Sequence, residues 1–325
     1  MDDQLSTEQI TGYAAPASPP WNGALQQLHR EIHQHGDGRC FVWVDPAQGE
    51  PDLGENDPGL RVSVPIAHPH YDQRLAPYLV PLNLGRFNDD CVLAASLELA
   101  WTAWSVPFLM ARRGQPISGW IISDRSAREV AAYWGRRCYL HFVQGRTHML
   151  RFHDPGVRNM LWQDLDDRQR ALLLHPVKAL FSLNRHQALE SFSAPSTTSA
   201  GEDAAVSNRL DEQLRLSAHQ WQRVNDYATV HAAWSYLVGE GLISRDVAVT
   251  EALRNSLGAA SSYAITSADD RMLFLVCGLR HGIGFHSHAR MADVWRRTAD
   301  GEALVDAVEA VSGRPFEQLS SYLMD

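Results

Sequence analysis

Residues 120–157 are WIISDRSAREVAAYWGRRCYLHFVQGRTHMLRFHDPGV, the stretch in which structural signals follow one another most closely. The apolar, partly β-branched run at 118–124 predicts a strand. Ser126 and Glu129 have the spacing of a capping box, which predicts that a helix begins there and continues to Trp134. A strand followed at once by a helix favours a fold in which helices cover a sheet.

The second half of this stretch predicts a β-hairpin and then a turn. The apolar runs 138–143 and 147–152 are separated by three residues that include a glycine, as is typical of hairpins. Asp154 and Pro155 then predict the start of a short helix. Aspartate accepts the free backbone N–H groups of a first helical turn, and proline has no N–H group to leave unpaired there.

Outside this stretch, the first part of the chain alternates between short apolar runs and amphipathic segments. Strands are predicted at 40–46, 77–83, 105–113 and 177–183, and helices at 21–32, 89–104 and 166–174. The alternation predicts an α/β lobe, with a mixed sheet and flanking helices, over residues 21–189.

A change of composition divides the chain. Residues 190–208 are rich in Ser, Thr, Ala and Gly, which predicts a linker, and residues 1–20 predict a flexible N-terminal tail. Residues 209–325 predict an all-α lobe, because no proline occurs between Pro195 and Pro315. Its helices are predicted at 208–239, 244–257, 267–281, 288–298 and 301–312.

The composition limits the classes of function. The formal net charge is −9 over 325 residues, which argues against general binding to a nucleic-acid backbone. The chain has no apolar run long enough to span a bilayer and its first residues lack the features of a secretion signal, so a cytoplasmic protein is expected. The four cysteines are far apart and predict buried free thiols: Cys40, Cys91, Cys138 and Cys277.

His153 and Asp154 are the first candidates for chemistry. Together they would make a general acid and base or two metal ligands, but neighbours on an extended strand point to opposite faces. The alternative is structural and is the one that the residues favour. In it Phe152 is buried, Arg151 and His153 share the other face, and Asp154 caps the following helix.

His281, His286 and His288 are the second candidates, as zinc ligands. They lack the i, i+4 spacing of a helical zinc site, and two glycines separate the first histidine from the others. A helix end followed by a polar loop is the alternative. The chain also lacks the motifs of a nucleophile elbow and of a phosphate-binding loop, so neither an enzyme nor a cofactor is predicted. Ten tryptophans are expected mainly in the core, with any exposed subset marking a partner surface.

The order of these segments resembles the DUF4123 family, over roughly residues 38–300. The segments that carry the resemblance are FVWVDPAQ (41–48), PYLVPL (77–82), the stretch 120–157, VKALFSL (177–183) and SSYAITSADDRMLFLVCGLRHGIGF (261–285). In the last of these, Ala264 replaces the glycine that is usual in the family.

The hallmark of that family is an Arg-aromatic-x-Asp-Pro turn, usually followed by another arginine. Four residues of this chain fit it: Arg151, Phe152, Asp154 and Pro155. Gly156 stands where the second arginine is expected, and Arg158 is the candidate substitute. The resemblance implies that Arg151, Asp154, Pro155 and Arg158 form a partner-binding or structural turn.

Members of this family are adaptor chaperones of bacterial type VI secretion. The resemblance therefore implies that this protein binds a cognate toxic effector, through the effector's N-terminal segment, and helps to load it onto a VgrG-type spike protein. It implies no catalysis, cofactor, nucleic acid or membrane. A tryptophan-containing cleft is expected to shield apolar effector segments. The alternatives are a metal-dependent hydrolase that uses His281, His286 and His288, and a structural component of the secretion apparatus.

Overall fold

A computed structural model of the chain describes residues 18–324, except residues 56, 58, 144, 194–212, 247 and 283. Almost all of the predicted tail at 1–20 and most of the predicted linker at 190–208 lie outside the described residues. Across the described ranges, no helix combines the length and the apolar character needed to cross a membrane.

In the described part of the chain, strands and helices alternate up to residue 192 and helices follow. The strands are β1 (Arg39–Val44), β2 (Val62–Ser63), β3 (Tyr78–Asn83), β4 (Ile117–Ile122), β5 (Leu140–Val143), β6 (Arg146–Met149), β7 (Ala179–Leu183) and β8 (Leu189–Phe192). The helices before β8 are α1 (Asn22–Gly36), α2 (Phe87–Ala103), α3 (Val106–Met110), α4 (Ala127–Arg137), α5 (Pro155–Trp162) and α6 (Asp167–Leu174). Those after it are α7 (Ala218–Gly239), α8 (Thr250–Ser262), α9 (Ala268–His281), α10 (Ala292–Ala299), α11 (Leu304–Ser312) and α12 (Leu319–Met324).

The predicted fold class, an α/β lobe followed by helices, is confirmed. Six of the described strands form one sheet in the order β2-β3-β1-β4-β7-β8, and β5 and β6 form the predicted hairpin. The described pairings of the sheet are antiparallel, so it is not mixed as expected. Helix α2 does connect two parallel strands, β3 and β4, but β1 lies between them and pairs antiparallel with both.

Three local predictions differ from the structure: those of α3 and β8, and that of the helix at 208–239, since residues 213–217 are not helical and α7 begins at Ala218. Residues 105–113, predicted as a strand, contain α3, with Ser105 before it and Pro107 in its first turn. A short apolar run does not distinguish a strand from a buried helix, and the proline position is the signal that favours the helix. Strand β8 also extends into the first residues of the predicted linker.

The sheet separates two hydrophobic cores, and one of them joins the two lobes. Alternate residues of β4 enter different cores: Trp120 on the face that α1 and α2 cover, Ile121 on the face that α4 and α6 cover. The first core continues into the later helices through Trp234 of α7, Leu253 of α8 and Leu275 of α9. Helix α7 also contacts α3 and α5. Helix α7 is therefore the element through which the helical lobe packs against the α/β lobe.

The cysteines are free thiols. Cys40, Cys138 and Cys277 are buried and Cys91 is half-buried.

Candidate functional site

The turn between β6 and α5 begins the helix as predicted. Asp154 Oδ1 accepts hydrogen bonds from Gly156 N at 2.9 Å and Val157 N at 3.3 Å. Pro155 occupies the first turn of α5. Phe152 is 2% exposed and lies in the second core. Asp154 is therefore a helix cap, and its carboxylate binds backbone N–H groups.

Asp45, directly after β1, is contacted by two side chains of the turn. Arg151 Nη2 donates to Asp45 Oδ2 at 2.6 Å, and His153 Nε2 lies 3.2 Å from the same oxygen. The side chains of Asp45 and His153 are 1% and 2% exposed, whereas that of Arg151 is 39% exposed. Arg151 and His153 thus point to one side, as predicted. One buried carboxylate holds the turn to the end of β1.

The surroundings of Asp45 favour its charged form. Burial alone would raise the pKa of this carboxyl, but the hydrogen bond and charge of His153 and the charge of Arg151 outweigh burial and hold the pKa below its usual value. Such a carboxyl stabilises the folded state at pH values above its unfolded pKa of about 4. That contribution is lost as the pH falls through the lower, folded pKa.

We expect Asp45→Asn to destabilise the protein mainly above pH 4. The amide cannot carry the charge that Arg151 and His153 stabilise, so the free energy of unfolding should fall by about 1–3 kcal/mol at neutral pH and by much less near pH 3. Urea denaturation of both proteins at the two pH values measures this. Asp300→Asn, at an exposed carboxylate, is the control. Equal losses at both pH values would contradict this role for Asp45.

Arg158 is enclosed beneath the turn. It donates to Ser118 O at 2.6 Å, to Phe152 O at 3.2 Å and to His153 O at 3.3 Å. The residue is 3% exposed, and burial lowers the pKa of its guanidinium to about 10, which leaves it charged at neutral pH. Of the two roles implied for Arg158, partner contact and structural support, the geometry fits the structural one, because its donors face backbone carbonyls of β4 and of the turn.

Gly156 has no space for a side chain because Tyr227 of α7 lies against it. A Cβ atom on residue 156 would lie 1.7 Å from the Tyr227 hydroxyl oxygen and 2.5 Å from Cζ. The arginine expected at this position is thus incompatible with Tyr227 where it stands. Arg158 does not replace it, since its guanidinium is directed to β4 instead.

A cleft of about 590 Å³ begins at Gly156 and lies between the α/β lobe and the helical lobe. Its walls are α5, the β7–β8 hairpin, α7 and the first turns of α8. A cavity of this volume is in the range that binding sites for small ligands and peptide side chains occupy. The hallmark turn therefore opens directly onto this cleft.

One wall of the cleft is an aromatic row along α7. The rings of Tyr227 and His231 stack with centroids 5.4 Å apart, and those of His231 and Trp234 stack at 5.8 Å. Trp104 meets Trp234 edge-on at 6.4 Å. Burial lowers the pKa of His231; the charge of Asp154 opposes this effect and the charge of Arg185 adds to it, and the net shift is downward. The imidazole is therefore neutral at neutral pH, which keeps this wall uncharged.

The opposite wall carries a second aromatic pair. Trp162 of α5 and Phe192 of β8 lie with centroids 5.1 Å apart in an edge-to-face arrangement. Trp162 is only half-buried, unlike Trp104 and Trp234, so it offers ring surface to the cleft. Two aromatic walls facing one space form a site suited to apolar side chains.

The second histidine group is not arranged as a metal site. His281 pairs with Ser320 at 2.9 Å, His286 with Tyr263 at 3.2 Å, and His288 accepts from Arg290 N at 3.3 Å. Over the described ranges, no three His, Cys, Asp or Glu side chains come together in a way that could hold a metal ion. These three histidines therefore do not form the set of ligands that a metal-dependent hydrolase would need.

Sequence reasoning missed Asp45, Tyr227 and Arg185, which the structure brings to the turn and the cleft. A signal existed for Asp45, because Asp45-Pro46 repeats the Asp-Pro pattern of Asp154-Pro155, and both aspartates cap the turn that follows them. No comparable local signal marks Tyr227, which lies in the middle of a long helix.

Comparison with known proteins finds one family model that matches part of the chain. Residues 68–172 match the family model DUF4123, described as a domain of unknown function. No curated protein and no solved structure matches the chain. The matched range contains the turn at 151–158 and helix α5, whereas Asp45 and α7 lie outside it. The family model that matches residues 68–172 is therefore the one that the motifs predicted.

Proposed function

We propose that this protein is an adaptor chaperone of bacterial type VI secretion, which holds a segment of a toxic effector in the cleft and helps to load that effector onto a VgrG-type spike protein. The observation that carries the proposal is the position of the cleft. Its first wall starts at Gly156, inside the hallmark turn of the DUF4123 domain, and α7 and α8 of the helical lobe close it.

The chemistry of the walls supports binding of a peptide segment. Aromatic side chains on α7 face Trp162 and Phe192, and a volume of about 590 Å³ accommodates a few side chains rather than a folded domain. Large aromatic residues contribute much of the binding free energy at protein interfaces. The effector would therefore contribute one short apolar segment to this site, and the spike protein would bind elsewhere.

The proposal is one of binding rather than of catalysis. The turn that looked most like an active site uses Asp154 as a helix cap and His153 as a buried partner of Asp45. Both side chains make contacts within the protein that stabilise the turn, which supports a structural role for it. A structural component of the secretion apparatus is the remaining alternative, and it would be found in assembled particles rather than with cargo.

The deciding experiment is co-expression with candidate effectors encoded beside this protein, followed by size-exclusion chromatography. We expect one effector to co-elute with this protein at a defined ratio, and the VgrG-type spike protein to join that complex. Failure of every neighbouring effector to co-elute would refute the adaptor proposal. Recovery of this protein only in assembled secretion particles would favour the structural alternative.

A variant that fills the cleft tests whether the effector binds there. Ser191, on β8, is exposed and lines the cleft, so Ser191→Trp adds a large ring to the space without replacing a core residue. We expect retention of the effector to fall at least tenfold while the melting temperature stays close to that of the wild type.

Ser261→Trp is the matched control, since Ser261 is exposed on α8 and does not line the cleft. It should retain the effector fully. If Ser191→Trp retains the effector as well as this control does, the effector binds at another surface.

A further inference from the structure

Arg185 is a cation in the cleft whose described partners are all neutral. It lies in the turn between β7 and β8 and is half-buried. Its guanidinium donates to Thr250 Oγ1 of α8 and, at 3.3 Å, to His186 Nε2. It also lies over the ring of Trp234, 5.6 Å from the centroid. The ring and Thr250 hold the guanidinium in place at the edge of the aromatic wall.

The other charged side chains that line the cleft have partners of complementary chemistry. These contacts are Arg223–Asp164 at 2.5 Å, Arg254–Glu251 at 2.9 Å, Arg271–Asp226 at 3.7 Å and Asn184–Glu190 at 2.7 Å. Within the described ranges, Arg185 has no carboxylate within ion-pair distance. Arg185 is thus a cation of the cleft without an ion pair in the described part of the chain, and Glu190 is a carboxylate of the cleft whose described partner is a neutral amide.

A partly desolvated cation of this kind is suited to meet an anion. Burial lowers the pKa of Arg185, but a guanidinium remains charged in proteins, so the site keeps its charge at neutral pH. A guanidinium presents parallel N–H donors that match the two oxygens of a carboxylate, and such charge-assisted hydrogen bonds are stronger than neutral ones. Because Nε donates to His186 and Nη1 to Thr250, Nη2 is the nitrogen of Arg185 with no described hydrogen bond and is the one left to donate to a ligand.

We propose that Arg185 binds the side-chain carboxylate of an aspartate or glutamate within the bound segment, while a neighbouring apolar side chain of that segment packs on the aromatic row of Tyr227, His231 and Trp234. This rests on the proposed function and makes it more specific. The cleft selects a segment in which an acidic residue adjoins an apolar one. A plain hydrophobic segment is bound more weakly because it leaves the charge of Arg185 unmatched.

Selection from a random peptide library tests the inference without the cognate effector. The probe is a phage-displayed heptapeptide library flanked by constant residues on both sides, so that no displayed peptide has a free terminus. The immobilised proteins are the wild type, Arg185→Gln and Arg185→Lys. Arg74→Gln is the control, because Arg74 is 90% exposed and does not line the cleft. Melting temperatures show that each variant is folded.

We expect the wild type and Arg74→Gln to enrich peptides with Asp or Glu beside an aromatic or aliphatic residue, and Arg185→Gln to lose the acidic preference. Arg185→Lys should keep part of it. For a synthetic enriched peptide, replacing its acidic residue by the amide should weaken binding to the wild type by about tenfold or more, but change binding to Arg185→Gln little.

Enrichment without acidic residues, or no enrichment at all, would overturn the inference. So would an acidic preference that survives in Arg185→Gln. A second library displays peptides with free C termini. If binding peptides come only from that library, the site binds a C-terminal carboxylate and the side-chain proposal is wrong. These results are independent of effector co-elution. Co-elution with no acidic preference leaves the adaptor proposal standing and removes only the role of Arg185.

Discussion

Replacing Arg158 by alanine is expected to lower the free energy of unfolding by about 3–5 kcal/mol, which is a large part of the stability of a typical domain. The truncation leaves three carbonyl oxygens, on Ser118, Phe152 and His153, without their donor in a buried site. It also leaves a cavity between the rings of Trp43 and Phe192, over which the guanidinium lies.

Urea denaturation followed by tryptophan fluorescence measures the effect of Arg158→Ala. The matched control is Arg170→Ala, because Arg170 also donates to a backbone carbonyl and lies over a tryptophan ring, but its side chain is 28% exposed. We expect the control to lose no more than about 1 kcal/mol, since water can replace its contacts. Similar losses in the two variants would mean that burial of Arg158 is not what makes it important.

Replacing Gly156 by alanine is expected to destabilise the protein by about 2–3 kcal/mol, although alanine normally favours a helix. The new methyl group would overlap the hydroxyl of Tyr227, so the Tyr227 ring must shift or α5 and α7 must move apart. The same movement changes the mouth of the cleft, and retention of the effector should fall together with stability.

A double-mutant cycle shows whether Tyr227 is the cause. Tyr227→Ala removes the ring, so Gly156→Ala should cost far less in that background, with a coupling of at least about 1 kcal/mol. Gly258→Ala is the control: Gly258 lies in helix α8, a methyl group there would meet no atom within 4 Å, and the substitution should be neutral or slightly stabilising. If Gly156→Ala lowers the free energy of unfolding as much in the Tyr227→Ala protein as in the wild type, overlap with Tyr227 is not the cause.

Local signals account for what could be predicted about the fold. The capping box at Ser126 and Glu129 and the cap at Asp154 were predicted correctly, because each depends on residues within four positions of one another. The hairpin β5–β6 and most helices were predicted for the same reason. The prediction failed at α3, where a short apolar run suits either element; Pro107 in the first turn favours the helix, and α3 packs against α7.

Neighbouring residues and the order of segments were enough to predict most elements, the family model that matches residues 68–172 and the hallmark turn. What the turn does could be read only from the packed molecule. Asp45 reaches Arg151 across 106 positions, and Tyr227 takes the space beside Gly156 from another lobe. The cleft and the position of Arg185 in it likewise arise where α5, β8 and α7 meet. Such contacts depend on chain packing in three dimensions, which no local pattern encodes.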